Sequence, residues 1–358
     1  MRISRKMEHI HHALRLGQSG DQGFGDIKLI PNSLPCTASE QISLHTRIGE
    51  LNLSSPILIN AMTGGAQETE EINRELAVAA RETGLAMAVG SQMSALKNPE
   101  TVPSYKIVRK MNPDGLVFAN LGSEASVEQA QRAVDMLRAD ALQIHLNVMQ
   151  ELIMPEGDRD FRGMLDRIEA IVREAGVPVI VKEVGFGMSR EDASRSLETG
   201  VRILDVGGAG GTNFAAIENA RRDRPMDWLN DWGCKTGIAL LEVLDAADRQ
   251  GDQVSVIASG GIAGSLDICK ALTLGASAAG MAGAMLRVLR GEGTGALISY
   301  IGRLHEELIL LMTALGSKNI GELRSRPVII SGETAEWCAL RGIDLASYAR
   351  RNGFLQQD

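Results

Sequence analysis

The sequence predicts an α/β fold, a (β/α)8 TIM barrel with an N-terminal arm and a C-terminal helical extension. From about residue 56 onward, eight short β-like runs alternate with helical stretches. Strands that alternate with helices pair in parallel, and eight of them most simply close into a barrel. The length of 358 residues and the hydrophobic content of 44% suit one such domain with insertions. An open, doubly wound sheet is the structural alternative.

The elements follow one another along the chain without a linker or a low-complexity stretch. The predicted strands cover residues 56–62, 85–91, 115–122, 141–147, 177–185, 201–208, 253–261 and 276–283. Helical patterns cover 70–84, 126–139, 161–176 and 265–275, the last ending at a helix-stopping glycine, and a further helix covers 297–316. We therefore divide a single domain into an N-terminal arm (1–55), a barrel (56–296) and a C-terminal helical extension (297–358).

Composition excludes several classes of protein. A net charge of −8 argues against a general nucleic-acid or anionic-membrane surface. The four cysteines lie far apart without a C-x-x-C pair, which fits neither a disulfide framework nor a zinc site and indicates a reduced, cytoplasmic location. The N-terminus lacks the apolar stretch of a signal peptide, and the longest apolar run is too short to span a bilayer.

Polar and small residues gather where the predicted strands end. In such barrels the loops after the strands form the mouth, where catalytic groups lie. The fourth strand carries Gln143, His145 and Asn147 on one face at period two, followed directly by Gln150 and Glu151. Five other strand ends contribute further candidates, namely Ala61, Met62 and Thr63; Ser91, Gln92 and Met93; Asn120; Lys182; and Gly207 with Thr212.

The last two strands end in small residues that favour phosphate binding. These are Gly260 and Gly261 after the seventh strand, and Ala282 with Gly283 after the eighth. Barrels of this kind commonly bind a phosphate there through backbone N–H groups, and glycine lets the backbone approach the anion closely. Tight turns alone are the alternative for either pair.

Three charged positions suggest ligands. Lys182 lies in an apolar run, where an unpaired charge is costly; it either forms an ion pair with Glu183 or Asp205 or meets an electron-rich cofactor such as a flavin. Glu151 is placed to hold Mg²⁺ together with substrate phosphates, or is a solvated loop acid. The adjacent Arg5 and Lys6 suit a diphosphate, although such terminal pairs are commonly just solvated.

Longer motifs give the chain a resemblance to a known family. The stretches "SRKMEHI", "INAMTGG", "AVGSQMSAL", "FANLG", "HLNVMQE", "MPEGDRDF", "VIVKEVGFGMS", "GGTNF", "IASGGI" and "LGASAAGMAG" run from residue 4 to 283, and "MTALG" and "GET" follow. Together they resemble the type 2 isopentenyl-diphosphate isomerases, which are flavoenzymes. The resemblance extends over nearly the whole chain.

The resemblance implies a role for each candidate position. FMN would be bound by Ala61, Met62, Thr63, Ser91, Asn120, Lys182 and Thr212, with Gly260, Gly261, Ile262, Ala282 and Gly283 around its phosphate. Gly207 stands where many relatives have Ser, so only its backbone N–H would serve the flavin phosphate. Arg5 and Lys6 would hold the substrate diphosphate, Glu151 its Mg²⁺, and Ser91, Gln92, Met93 and Gln150 would contact the substrate beside His145 and Asn147.

The implied reaction interconverts isopentenyl diphosphate and dimethylallyl diphosphate by adding one proton and removing another. A neutral Gln150 amide is too weak an acid for this step, so reduced FMN is the expected acid and base, with NADPH or NADH as its reductant. The family also implies a homotetramer or homooctamer. The alternatives are an FMN-dependent barrel oxidoreductase, such as a 2-hydroxy-acid oxidase or a nucleotide dehydrogenase, and a non-catalytic flavin-binding protein.

Overall fold

A closed barrel of eight parallel strands forms the centre of the molecule, as a computed structural model shows for residues 10–12, 14–15, 20–251 and 253–351. Three short strands precede the barrel: β1 (Ile27–Leu29), β2 (Thr46–Ile48) and β3 (Leu51–Leu53). The barrel strands are β4 (Ile57–Ile59), β5 (Ala86–Ala88), β6 (Val117–Gly122), β7 (Ala141–Leu146), β8 (Val179–Glu183), β9 (Ile203–Asp205), β10 (Ser255–Ser259) and β11 (Ala278–Met281). A last strand, β12 (Val328–Ile330), follows them.

Closure of the barrel depends on the pairing of its last strand with its first. Strand β11 lies parallel to β4, with Ala279 opposite Ile57, and the remaining strands pair in chain order. All eight predicted strands are therefore confirmed, each shorter at one or both ends than the apolar run that predicted it. The open-sheet alternative is wrong.

Helices surround the barrel and bury one apolar face each. Helix Thr69–Thr83, for example, buries Ile72, Leu76 and Ala80 and ends at Gly84, which adopts the left-handed conformation that stops helices. Among the described residues from 20 onward, the helices are Thr69–Thr83, Met93–Lys97, Pro103–Met111, Val127–Leu137, Val148–Ile153, Met164–Glu174, Arg190–Glu198, Phe214–Asn219, Thr236–Gln250, Ser265–Leu274, Gly283–Glu292, Thr294–Leu315, Ile320–Arg324, Gly332–Arg341 and Leu345–Ala349. The five predicted helices are among them.

The arm closes the amino-terminal end of the barrel. Strands β2 and β3 pair antiparallel, and Ile48 and Leu53 pack with interior barrel residues such as Phe118 and Ile180. The Gly49 N–H donates to Ser255 Oγ over 2.9 Å, at the start of β10. Because this end is filled with side chains, a ligand can enter only from the carboxyl-terminal end of the strands.

The C-terminal extension is less purely helical than expected. Its strand β12 pairs antiparallel with β1 of the arm, so the two chain-terminal regions form one small sheet. The expected boundary at residue 297 lies inside helix Thr294–Leu315, which buries Leu297, Ile301, Leu304 and Leu308. The sequence does not predict β12, because a strand of three residues is too short to show the alternation of apolar and polar side chains that marks a strand. No helix in the described ranges is long and apolar enough to cross a membrane.

Candidate active site

A cavity of about 590 Å³ opens at the carboxyl-terminal ends of the barrel strands, a volume within the range of small-molecule sites. Most of the predicted site residues line it. These are Ala61, Met62, Ser91, Met93, Asn120, His145, Asn147, Gln150, Glu151, Lys182, Gly207, Thr212, Gly260, Gly261, Ile262, Ala282 and Gly283. Arg5 and Lys6 lie outside the described residues, but Ile10 and Leu14 line the cavity, so the N-terminal segment reaches the mouth.

Two predicted residues lie behind the cavity wall. Gln92 is fully buried; its amide donates to the Ala133 carbonyl over 3.0 Å and accepts the Asn120 N–H over 3.0 Å. Gln92 therefore links the loop after β5 to β6 and to helix Val127–Leu137. Because its side chain is used in these contacts, it is not available to a substrate. Thr63 is 2% exposed, and its hydroxyl has no hydrogen-bond partner anywhere in the described chain.

The polar face of β7 belongs to a row of side chains that crosses the barrel. His145 Nδ1 lies 2.9 Å from Asn120 Oδ1, and Asn120 Nδ2 donates to Gln143 Oε1 over 2.9 Å. Gln143 Nε2 donates to Asn60 Oδ1 over 3.0 Å, and Asn60 Nδ2 donates to Asp205 Oδ2 over 2.7 Å. The Gln143 amide of β7 thus bonds Asn120 on β6 and Asn60 just after β4, and Asn60 continues the row to Asp205 on β9. Sequence reasoning did not select Asn60, although a single amide after an apolar strand marks its position.

Lys182 forms neither of the ion pairs considered from the sequence. Lys182 is 6% exposed, and within the described residues its ammonium group donates to the Glu183 backbone carbonyl over 2.6 Å. The Glu183 carboxylate accepts three N–H groups of the following loop, from Val184, Gly185 and Phe186, over 2.6, 2.9 and 2.7 Å. Burial nevertheless raises the pKa of Glu183 to about 7, against the opposing effects of these N–H groups and the Lys182 charge.

Gln150 is oriented by a carboxylate that sequence reasoning missed. Its Nε2 donates to Glu218 Oε1 over 2.9 Å, and Glu218 is fully buried on helix Phe214–Asn219. Arg221 binds the other oxygen of Glu218 and also Glu156. An acidic residue on the buried face of a short helix was the available signal. Because a carboxylate only accepts hydrogen bonds, Gln150 must present its amide nitrogen to Glu218.

The rim of the cavity is acidic, which was also missed. Glu151 Oε1 accepts from Asn147 Nδ2 and Oε2 accepts from the Asp158 N–H, both over 2.9 Å. Burial, with added effects of the Glu151 and Asp158 charges, raises the pKa of Glu124. Glu156 and Asp160 complete this set of rim acids. Across the described part of the chain, no group of three or more His, Cys, Asp or Glu side chains is arranged to hold a metal ion by itself.

The glycines around the cavity allow two loops to meet backbone to backbone. A Cβ on Gly260 would lie 2.0 Å from the Gly208 carbonyl oxygen, and one on Gly211 would lie 2.7 Å from the Gly261 nitrogen. Their small size is therefore required by loop packing, whether or not an anion binds. In the described structure the N–H groups of Gly261 and Gly283 have no hydrogen-bond acceptor. Gly283 is also the first residue of a ten-residue helix, where N–H groups point outward.

Gly207 lines the cavity, but its N–H already has a partner within the protein. Its N–H, expected at the flavin phosphate, donates to Asp205 Oδ1 over 3.2 Å inside the barrel. Its φ is +46°, and a Cβ there would lie 2.1 Å from the Glu183 carbonyl oxygen. The residue therefore lets β9 turn tightly past the carbonyl that holds Lys182.

Comparisons with known proteins agree with this geometry. The sequence model of the FMN-dependent dehydrogenases matches residues 123–330. The chain is 56% identical to an isopentenyl-diphosphate delta-isomerase of Bacillus licheniformis, over 98% of this chain and 99% of the relative, and 54% identical to one of a Geobacillus species, over 98% and 99%.

Solved structures show the same fold at low identity. Two mandelate oxidase variants are similar with TM-scores of 0.65 and 0.64 at 18% identity, each over 90% of this chain and 94% of theirs. The resemblance read from the motifs is confirmed by the full-length relatives. The chain belongs to the isopentenyl-diphosphate delta-isomerase family, in its type 2 form built on an FMN-dependent dehydrogenase barrel.

Proposed function

We propose that the chain interconverts isopentenyl diphosphate and dimethylallyl diphosphate by an allylic 1,3-proton shift that requires reduced FMN and Mg²⁺, as a step of isoprenoid biosynthesis. The observation that carries the proposal is identity above 50% with isomerases of this name over almost the entire chain. The cavity supports it with groups suited to a flavin, a diphosphate and a small apolar tail.

Two features of the wall fit FMN. The N–H groups of Gly261 and Gly283 suit the flavin phosphate. Lys182 would place a positive charge beside a reduced ring, and such a ring supplies an electron-rich centre able to give and take a proton.

The acidic rim explains why the substrate would need a cation. Glu124, Glu151, Glu156, Asp158 and Asp160 would repel a bare diphosphate at the mouth. Mg²⁺ held by Glu151 and by the substrate phosphates would remove this repulsion, since one carboxylate plus phosphates and waters is a usual Mg²⁺ arrangement. Arg5 and Lys6 would bind the remaining phosphate oxygens.

The chain's own side chains would position the hydrocarbon and exclude water from it. Gln150, held by Glu218, would orient the isoprene end of the substrate, and His145 with Asn147 would line the same pocket. We further propose NADPH or NADH as the reductant and a cytoplasmic homotetramer or homooctamer.

The test is an anaerobic assay of the purified protein with isopentenyl diphosphate, Mg²⁺ and dithionite-reduced FMN. We expect dimethylallyl diphosphate without stoichiometric NAD(P)H consumption; equal rates with fully oxidised FMN would contradict the flavin requirement. Glu151→Gln should lower the rate at least about tenfold, by analogy with the loss of a metal ligand. The control Glu128→Gln changes an exposed helix acid far from the cavity and should leave the rate unchanged.

An FMN-dependent oxidoreductase is the second candidate, because the matched family model and the similar solved structures are dehydrogenases and oxidases. It predicts steady consumption of O₂ or NAD(P)H in proportion to substrate. A parallel aerobic assay with NAD(P)H in place of dithionite, followed with an oxygen electrode and at 340 nm, distinguishes the two.

A further inference from the structure

The row of side chains runs from Asp205 inside the barrel to His145 at the cavity, and its four members before His145 are almost completely buried. Asp205 and Gln143 are fully buried, and Asn60 and Asn120 are 4% and 2% exposed. Buried polar groups must find their partners within the protein. Each amide in the row therefore depends on its neighbours, and the orientation of one restricts the orientation of the next.

At Asp205 every observed partner is a donor. Its carboxylate accepts from Asn60 Nδ2, from the Gly207 N–H over 3.2 Å, and from the Ser259 hydroxyl. Lys182 is its neighbour across the β8–β9 pairing, which places a positive charge on the adjacent strand. An ionised carboxylate only accepts hydrogen bonds, so Asp205 forms the accepting end of the row.

Asn60 transmits this direction because both ends of its amide are constrained. Its nitrogen must face Asp205, and its oxygen accepts the Ala61 N–H over 2.9 Å, a group that can only donate. The same oxygen accepts from Gln143 Nε2, so the Gln143 oxygen must accept from Asn120 Nδ2. The Asn120 oxygen is then the atom that faces His145 Nδ1.

From this order of donors and acceptors we infer that Asp205 is a positioning residue that holds the proton of the neutral His145 ring on Nδ1. With Nδ1 protonated, every contact in the row joins a donor to an acceptor. With the proton on Nε2, two acceptors, Nδ1 and the Asn120 oxygen, would face each other at 2.9 Å. Rotating the Asn120 amide by 180° would place its nitrogen at His145 but its oxygen against the Gln143 oxygen. Rotating Gln143 and Asn60 in turn would finally place the Asn60 oxygen against the Asp205 carboxylate and its nitrogen against the Ala61 N–H.

The inferred preference for the Nδ1–H form is at least about tenfold, the ratio that corresponds to one lost buried hydrogen bond. Its consequence for the site is an imidazole whose ring orientation and tautomer are set from the other side of the barrel, through β4, β6, β7 and β9. In the neutral ring Nε2 is then the accepting nitrogen. Only the role of His145 in the substrate pocket rests on the proposed function. The test of the inference measures the tautomer of the His145 ring directly.

The first experiment needs no variant. The protein is labelled with ¹⁵N-histidine and loaded with oxidised FMN, and its ring ¹⁵N shifts are recorded where the His145 ring is neutral; His145→Gln assigns the signals. We expect His145 to be mainly Nδ1–H. A predominance of the Nε2–H form in the wild type would overturn the inference.

The second experiment changes the accepting end of the row. In Asp205→Asn the new amide must direct a donor either at Asn60 or at Gly207, so only the Ala61 N–H still opposes a reversed row, and we expect at least a threefold fall in the ratio of Nδ1–H to Nε2–H. Ser259→Ala is the matched control: it removes one donor to Asp205 but leaves the row intact, and the ratio should stay as in the wild type.

Gln143→Met breaks the row in the middle and replaces Asp205→Asn if that variant does not fold. The same fall in the ratio is expected. If either folded variant keeps the wild-type ratio, Asp205 does not set the tautomer. A failure of the proposed isomerase would appear instead as absent turnover with the ring signals unchanged, so the two failures are distinguishable.

Discussion

A single methyl group added at Gly207 tests how tightly β9 passes the carbonyl that holds Lys182. In Gly207→Ala the new Cβ would lie 2.1 Å from the Glu183 oxygen, a separation that real Cβ atoms do not show. That oxygen accepts the Lys182 ammonium over 2.6 Å. The obstacle is backbone and not a flexible side chain, so the strand end or the loop has to move.

The expected cost has two parts. A non-glycine residue at φ +46° costs about 1 kcal/mol, and forcing an extra carbon into a packed region costs typically about 1–3 kcal/mol. The variant should therefore lose about 2–4 kcal/mol of unfolding free energy. Gly176→Ala is the matched control, because Gly176 has φ +73° but nothing within 4 Å of its Cβ position, and it should lose only about 1 kcal/mol.

The assay is equilibrium urea unfolding followed by circular dichroism, with an FMN titration of each folded variant. We expect weaker FMN binding for Gly207→Ala alone, because its movement displaces the Lys182 acceptor. If the two alanine variants lose the same stability and bind FMN equally well, the close approach at Glu183 is unimportant and the reasoning fails.

Two further predictions concern buried charges. Because burial raises the folded-state pKa of Glu183 from 4.5 to about 7, the stability from its protonated form is complete below pH 4.5 and is lost as the pH rises through about 7. Glu183→Gln should remove this pH dependence of the unfolding free energy, which is at most about 3 kcal/mol. The urea midpoint is measured at pH 5 and at pH 8, and an equal difference between the two pH values in wild type and variant would contradict the prediction. Arg109, 8% exposed, donates to the Leu137, Gly115 and Arg138 carbonyls over 2.9, 2.7 and 2.7 Å and pairs with Asp140 over 2.7 Å. Arg109→Met should cost about 3–5 kcal/mol, against at most about 1 kcal/mol for Arg74→Met on an exposed helix face, and equal urea midpoints for the two would refute this.

The contents of the cavity were in large part predictable from the sequence. Strand ends are marked by local signals, namely an apolar run followed by small or polar residues, and the barrel rule brings those ends together. This reasoning selected His145, Gln150, Lys182 and the glycines after the last two strands before any contact was known. Gln92 was selected by the same rule and is buried behind the wall, because its side chain turns toward the Ala133 carbonyl and the Asn120 N–H while its neighbours Ser91 and Met93 line the cavity.

The sequence alone determined the eight-strand order, the position of the mouth and the family. The periodicity of apolar residues and the motifs that indicate them each extend over only a few neighbouring residues. Tertiary structure decided which groups are partners. Asn60 and Asp205 are 145 positions apart, Gln150 and Glu218 are 68 apart, and no local pattern records that they meet. Hydrogen-bond direction, burial and the approach of one backbone to another depend on such distant pairs, and so they appear only when the barrel closes.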